Sequence, residues 1–420
     1  MIALWLLAGS AFAATVETMP SCAKVTAVAI DGETAVVTAK DGVCRFALEG
    51  GAPGSGPARL AGCVYEPREH GLLRRCPRLA DEVLSAGGFP VTSAAAFGSA
   101  LYAGTYGGGL RRMPSGERVP GVPGAVTALA VSARGLLIGT ESGPYLMEAG
   151  RVRALRPSGP ADGHVVKLVR GGDAVWAGHF DRGVSRYRDG RWRSWGKAEG
   201  LPTEWIDDLA WDGTRLWGAT EKGVFWIEGE AVLRPADERL RTATSAVFIA
   251  SGTVHLAQAG RILAWNQGTV TAIDSPEQHP QRLLVQDGVI WLAGLDGLWR
   301  FEDGKIERHG VIDERLPGDW VTALAAGPRG LIVGTYDAGL TVLGSTTSLK
   351  ADAWVNLGAL DGDGERLAVG EMAAGLSLWD GSVWSRLGAA DGLPGDDVSA
   401  VLFDGPDLWV GTRTGLARVR

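Results

Sequence analysis

The chain has 420 residues, among them 62 glycines and 16 tryptophans, with glycine at about twice its usual share of roughly 7%. With 45% hydrophobic and 21% charged residues it can bury a core and is not a disordered tail. A net charge of −7 without any basic run argues against nucleic acid or an anionic membrane surface as partner, because phosphate binding needs concentrated positive charge.

The chain opens on an address. Ile2 to Ala8 is uninterrupted and apolar, and Ala11-Phe12-Ala13 supplies a small-x-small cleavage pattern, so residues 1–13 are expected to be a signal peptide even though no Lys or Arg precedes the apolar run. Ser10 stands where a lipidated Cys would have to be, which argues against a lipoprotein. No later apolar run approaches the roughly 18 residues that span a bilayer, so the mature chain is expected to lack a transmembrane segment and to be periplasmic or secreted. Four cysteines follow, Cys22, Cys44, Cys63 and Cys76. An even number in an exported chain argues for two disulfides; three connectivities exist, and Cys22–Cys44 with Cys63–Cys76 is preferred.

One compact core stops growing at roughly 250–300 residues, so this length requires several domains or a repeat. A repeat is present. Val398 to Val419 reads as an apolar alternating run, a Gly/Asp turn, Leu-Trp-Val-Gly-Thr, a tight turn and Gly-Leu, and the string recurs from Val126, Val166, Ile206 and Val321. The small residue ending the second apolar run is Thr38, Gly104, Gly139, Gly178, Ala219, Ala257, Ala293, Gly334, Gly370 and Gly411, spaced by 66 residues once and by 35–41 thereafter. Four short strands in about 38 residues is the accounting of a β-propeller blade. The expectation over 14–420 is therefore an all-β propeller of about nine or ten four-stranded blades, a single ring being favoured over two smaller rings. The 66-residue gap is expected to hold a disulfide-pinned insertion at about 47–90, and residues Thr15 to Met19 to supply the missing outer strand of the last blade. Trp176, Trp217, Trp291 and Trp409 share one repeat position, as expected of packing between blades, and His255 at that position is read as a core histidine.

From Gly200-Leu201-Pro202 to Gly223-Val224, and from Gly392-Leu393-Pro394 to Gly415-Leu416, the units resemble the two-component regulator propeller repeat. The resemblance implies ligand sensing or scaffolding outside the cytoplasm. No kinase follows the last repeat here, so any signalling would pass through a separate membrane or envelope partner.

Recognition in such a fold belongs to the channel mouth. Tyr106, Phe180, Glu221, Tyr336 and Arg413 lie two residues past their repeat anchors, where the sequence varies on a regular frame. His164, Trp205, Trp320, Trp354 and Asp397 stand at the start of the innermost strand, and the three tryptophans there suit an aromatic platform. Six scattered histidines give no metal-ligand spacing, and no Gly-x-Ser-x-Gly elbow occurs. Asp361 to Glu365 begins like a calcium loop but has Arg366 where the loop glycine belongs. The expected function is non-catalytic binding of a protein, peptide or glycan, with no metal and no cofactor. The alternative is a lyase or hydrolase acting on a polysaccharide through Asp207, Asp208, Asp396 and Asp397.

Overall fold

The computed structural model describes residues 14–22, 24–31, 34–40, 42–47, 58–69, 71–132, 134–155, 159–313, 315–327, 330–345, 348–350, 353–364 and 366–420. The expected signal peptide lies outside them. The described residues form eleven antiparallel sheets, ten of four strands and one of three. Periodicity sets each strand's place. In Ala174–His179, a second strand, all six residues are buried because both faces are covered by neighbouring sheets, whereas the outermost Arg191–Trp195 buries Trp195 alone.

The recurring threonine after the anchor, with glycine three or four residues further on, has a local cause. Thr105, Thr140, Thr220, Thr335 and Thr412 each donate their hydroxyl to the carbonyl of the glycine that closes the hairpin, at 2.6–3.0 Å. At Gly223 the chain needs φ +85°, and a Cβ would lie 2.4 Å from Arg241 Cα, so only glycine fits.

The glycine anchors of the repeat are small for a different reason: at each of them a neighbouring sheet approaches within 3 Å of where a Cβ would stand. A Cβ added to Gly104 would lie 2.6 Å from Val126, to Gly178 2.9 Å from Ile206, to Gly334 2.8 Å from Val355 and to Gly370 2.7 Å from Val398. These contacts define the order of sheets, and at two anchors the order departs from the sequence. Gly139 meets Val25 at 2.7 Å, and Gly411 meets Val165 at 2.7 Å.

The single ring of nine or ten blades is therefore corrected. Seven sheets, here I (165–195), II (208–233), III (246–274), IV (280–309), V (321–350), VI (355–387) and VII (398–419), pack in sequence, and VII packs back onto I. Their seven innermost strands line one cavity of about 300 Å³. The other four sheets form a separate arc in the order 58–85, 91–118, 126–154 and 25–47. The stretch expected to be an insertion is thus itself a four-stranded sheet, with the Cys63–Cys76 disulfide across its second and third strands. Cys22 pairs with Cys44, so both preferred pairings form.

As expected, Val16–Met19 supplies the outer strand of sheet VII, pairing antiparallel with Leu416–Val419 from Val16 opposite Val419 to Met19 opposite Leu416. The tryptophans behave as packing residues: Trp176, Trp217 and Trp409 are at most 3% exposed, each in a cluster spanning two sheets, while Trp291 and His255 are half-buried.

A second device links neighbours. The residue that bulges out of the start of an innermost strand donates to the first carbonyl of the next sheet: Thr322 to Val355 at 2.8 Å, Asn356 to Val398 at 3.0 Å, and Ser399 to Val165. The last of these crosses the seam where VII meets I. Ser399→Ala is expected to cost about 1–2 kcal/mol, since it leaves a buried carbonyl one donor short. Its melting temperature should fall by roughly 2–6 °C, measurable by calorimetry; an unchanged value would mean the bond contributes nothing to closure.

Candidate functional site

The seven innermost strands run in the same direction around the ring. Residues just before them therefore share one mouth of the channel with the residues that follow each second strand. The backbone couples each pair: the N–H groups of Phe180, Tyr336, Met372 and Arg413 donate to the carbonyls of His164, Trp320, Trp354 and Asp397 at 2.9–3.1 Å.

Nine of the ten residues expected to bind belong to this mouth. On V and VI, Trp320 stacks on Tyr336 with centroids 4.0 Å apart at 10°, and Tyr336 lies 5.9 Å from Trp354. On I and II, His164 stacks on Phe180 at 4.8 Å, and Phe180 meets Trp205 at 4.5 Å. Sheet VII stands between these groups and contributes an ion pair, Arg413 Nε to Asp397 Oδ2 at 2.9 Å, with Asn356 donating to Asp397 Oδ1 at 2.7 Å. Glu221 continues the rim on II, near the Thr203 hydroxyl at 3.5 Å. Trp205, Trp320 and Trp354 are 45%, 42% and 51% exposed, so packing between blades does not account for them. Burial, with the Arg413 and Lys24 cations nearby, holds the His164 imidazole below its ordinary pKa. Tyr106 is the exception. It sits on the separate arc, bridged to Ala125, and shares no mouth with the other nine.

Beneath this rim lies a charged layer of which only the acidic pair Asp207-Asp208 stands out in the sequence. Lys167 and Arg282 are the third residues of the innermost strands of I and IV, and Asp208 is the first of that of II. Lys167 Nζ lies 3.0 Å from Asp208 Oδ1, and Asp208 also accepts from the N–H groups of Leu209 and Val247 at 3.0 and 3.1 Å. Arg282 reaches across the channel and donates to Leu357 O at 3.1 Å, with its guanidinium against Gly358, where a Cβ would lie 2.3 Å from it. Burial pushes the Asp207 carboxyl up to about 7, with Asp208 and Glu221 adding to the rise and Arg282 opposing it. The signal for Arg282 was present, a cation at the head of the apolar run Leu283-Leu284-Val285, but no repeat position marked it.

The acidic pairs are distributed between these roles. Asp396 accepts from Ala389 N–H at 2.7 Å and so caps a turn; Asp397 and Asp208 are ion-paired. Asp363, in the calcium-like stretch, pairs with Arg366. Among the described residues no group of three or more His, Cys, Asp or Glu is placed to hold a metal ion.

The sheet meanders and their cyclic packing define a β-propeller fold. No family model and no curated protein sequence matches the chain. Among solved structures it is similar to PorZ, a bacterial surface component of the type-IX secretion system of Porphyromonas gingivalis, with TM-score 0.59 and 14% identity, covering 94% of this chain and 68% of that one. It is also similar to the extracellular domain of the putative hybrid two-component system BT3049 from B. thetaiotaomicron, with TM-score 0.48 and 13% identity over 96% of this chain and 76% of that one. Virginiamycin B lyase from Staphylococcus aureus matches with TM-score 0.46 and 14% identity over 61% of this chain and 95% of that one. At these identities the likeness is one of fold.

Proposed function

We propose that the protein is a non-catalytic, extracytoplasmic propeller that captures a protein, peptide or glycan ligand on the aromatic rim of its seven-sheet ring. The observation that carries this reading is the convergence of Trp320, Tyr336 and Trp354 with His164, Phe180 and Trp205 on either side of the Asp397–Arg413 pair. Exposed, pre-stacked rings offer large apolar area at little entropy cost, and a fixed ion pair between them supplies directional hydrogen bonding. Two disulfides support an oxidising compartment, and the bacterial-surface setting of PorZ fits it. The polysaccharide-cleaving alternative rests on Asp207, a mouth carboxyl that burial pushes up to about 7, a value that suits proton transfer.

The test is capture from an envelope extract and on a glycan array by the purified protein and by the triple variant Trp205→Ala, Trp320→Ala, Trp354→Ala. Each tryptophan at a binding hot spot is worth about 2 kcal/mol or more, so capture should fall by well over tenfold. Melting should change little, because the three side chains are exposed. Unchanged capture by the triple variant removes the rim as the site.

A further inference from the structure

The channel beneath the rim has two unlike ends. Towards the rim lies the charged layer. Away from it the wall is mainly apolar, formed by Leu284 of IV, Phe248 of III, Leu360 of VI, Leu402 of VII and Ala210 of II, with Arg170 of I, ion-paired to Asp404, also bordering it. The cavity of about 300 Å³ is bordered by both, space for roughly ten water-sized groups.

Arg282 is the unresolved charge in this arrangement. Its side chain is more than nine-tenths buried, and its nitrogens meet two backbone carbonyls, Gln281 at 2.7 Å and Leu357 at 3.1 Å, while Nε is buried without a partner. Among the described residues it makes no ion pair. Of the two nearby carboxyls, Asp208 is already shared by Lys167 and two backbone N–H groups, and burial pushes Asp207 up to about 7, so that it is only partly ionised near neutrality. A buried guanidinium is ordinarily retained where a carboxylate or phosphate meets it, since its fork of donors matches such an anion and its burial is otherwise costly. Gly358 makes room for the guanidinium itself, since a Cβ there would lie 2.3 Å from Nε.

We propose that the channel binds a small carboxylate carried on an apolar body, the carboxylate seated on the Arg282 guanidinium and the body against Leu284, Phe248 and Leu360. A phosphate or a free sugar fits less well, because the wall beyond the charged layer offers mainly hydrocarbon, and Arg170 there is already paired with Asp404. Two sources share this chemistry: a medium-chain fatty acid, and the C-terminus of a peptide ending in an apolar residue. The site is separate from the rim, and its occupancy does not depend on the rim's function.

Calorimetric titration tests it, with sodium decanoate, decanol and sodium acetate as probes, together with acetyl-Phe-Leu bearing a free or an amidated carboxyl. The expected result is one saturable decanoate or free-carboxyl peptide per chain, with decanol, acetate and the amidated peptide at least tenfold weaker. Arg282→Gln should weaken binding at least tenfold. Because Arg282 also bridges two sheets, Ala210→Phe provides a second variant that fills the apolar end without touching the guanidinium, and it too should lose at least tenfold. The rim triple variant should bind as the parent does, so failure of the rim reading and failure of this one are distinguishable. Preference between decanoate and the peptide identifies the source, and either supports the proposal. It is overturned if neither binds saturably, if decanol binds as well as decanoate, or if Ala210→Phe binds as tightly as the parent.

Discussion

Replacing Trp409 by alanine is expected to destabilise the ring by about 3–5 kcal/mol, the range for removing a large aromatic side chain from a packed core. Trp409 is 1% exposed and lies at the seam where sheet VII meets sheet I. Its cluster joins Val165, Leu168, Val175 and Ala177 of sheet I to Ala400 and Leu416 of sheet VII and to Met19 of the N-terminal strand. Tyr187 and Trp192 of sheet I meet its ring at 5.2 and 6.4 Å, and the Arg418 guanidinium lies 5.5 Å from its centroid. Three separate stretches of chain thus depend on one side chain. For a unit of this size the loss corresponds to roughly 10 °C or more in melting temperature. Thermal unfolding measures it, and limited proteolysis should show earlier cleavage near residues 14–20, the strand that Trp409 helps to hold. A drop of only a degree or two would mean that VII and I do not meet cooperatively.

Asp207→Asn is expected to act in the opposite direction, with a pH dependence whose sign follows from burial. The folded-state carboxyl is pushed up to about 7 from the ordinary 3.8. Between those values the folded chain keeps a proton that the unfolded chain has released, so raising the pH from about 4 to 7 progressively destabilises the fold. Above 7 the carboxylate is ionised in both states and the penalty is fully present. Asparagine cannot ionise and removes it. The variant should match the parent near pH 3.5 and exceed it at pH 8 by about 2–4 kcal/mol, or roughly 5–10 °C. Melting curves at the two pH values check this. A variant less stable than the parent at pH 8 would show instead that the Asp207 anion is needed as counter-charge for Arg282.

Hairpins, strand lengths and the inter-blade role of Trp217 and Trp409 follow from motifs inside one unit, where a period of two and a Gly-Thr-x-x-Gly turn act over a few residues. The mouth followed for the same reason: a residue's offset from its anchor fixes its height along the channel, so Trp320, Tyr336 and Trp354 were placed together without knowledge of the ring. Tyr106 has that same offset and fails only because its sheet belongs to the other unit. Arg282 escaped notice because its burial is created by sheets that are distant in the chain.

Local pattern therefore established that the chain is a repeat of four-stranded β-meanders, that its anchors must be small, and that its variable residues line one edge of each sheet. Which sheet meets which was decided by the tertiary structure. Every unit offers a similar apolar face to its successor, so periodicity does not distinguish Gly139 against Val165 from Gly139 against Val25. The choice depends on which long-range contacts close with least cost, and here Gly411 and Ser399 of the last sheet take Val165, leaving seven sheets around a channel and four in an arc beside them.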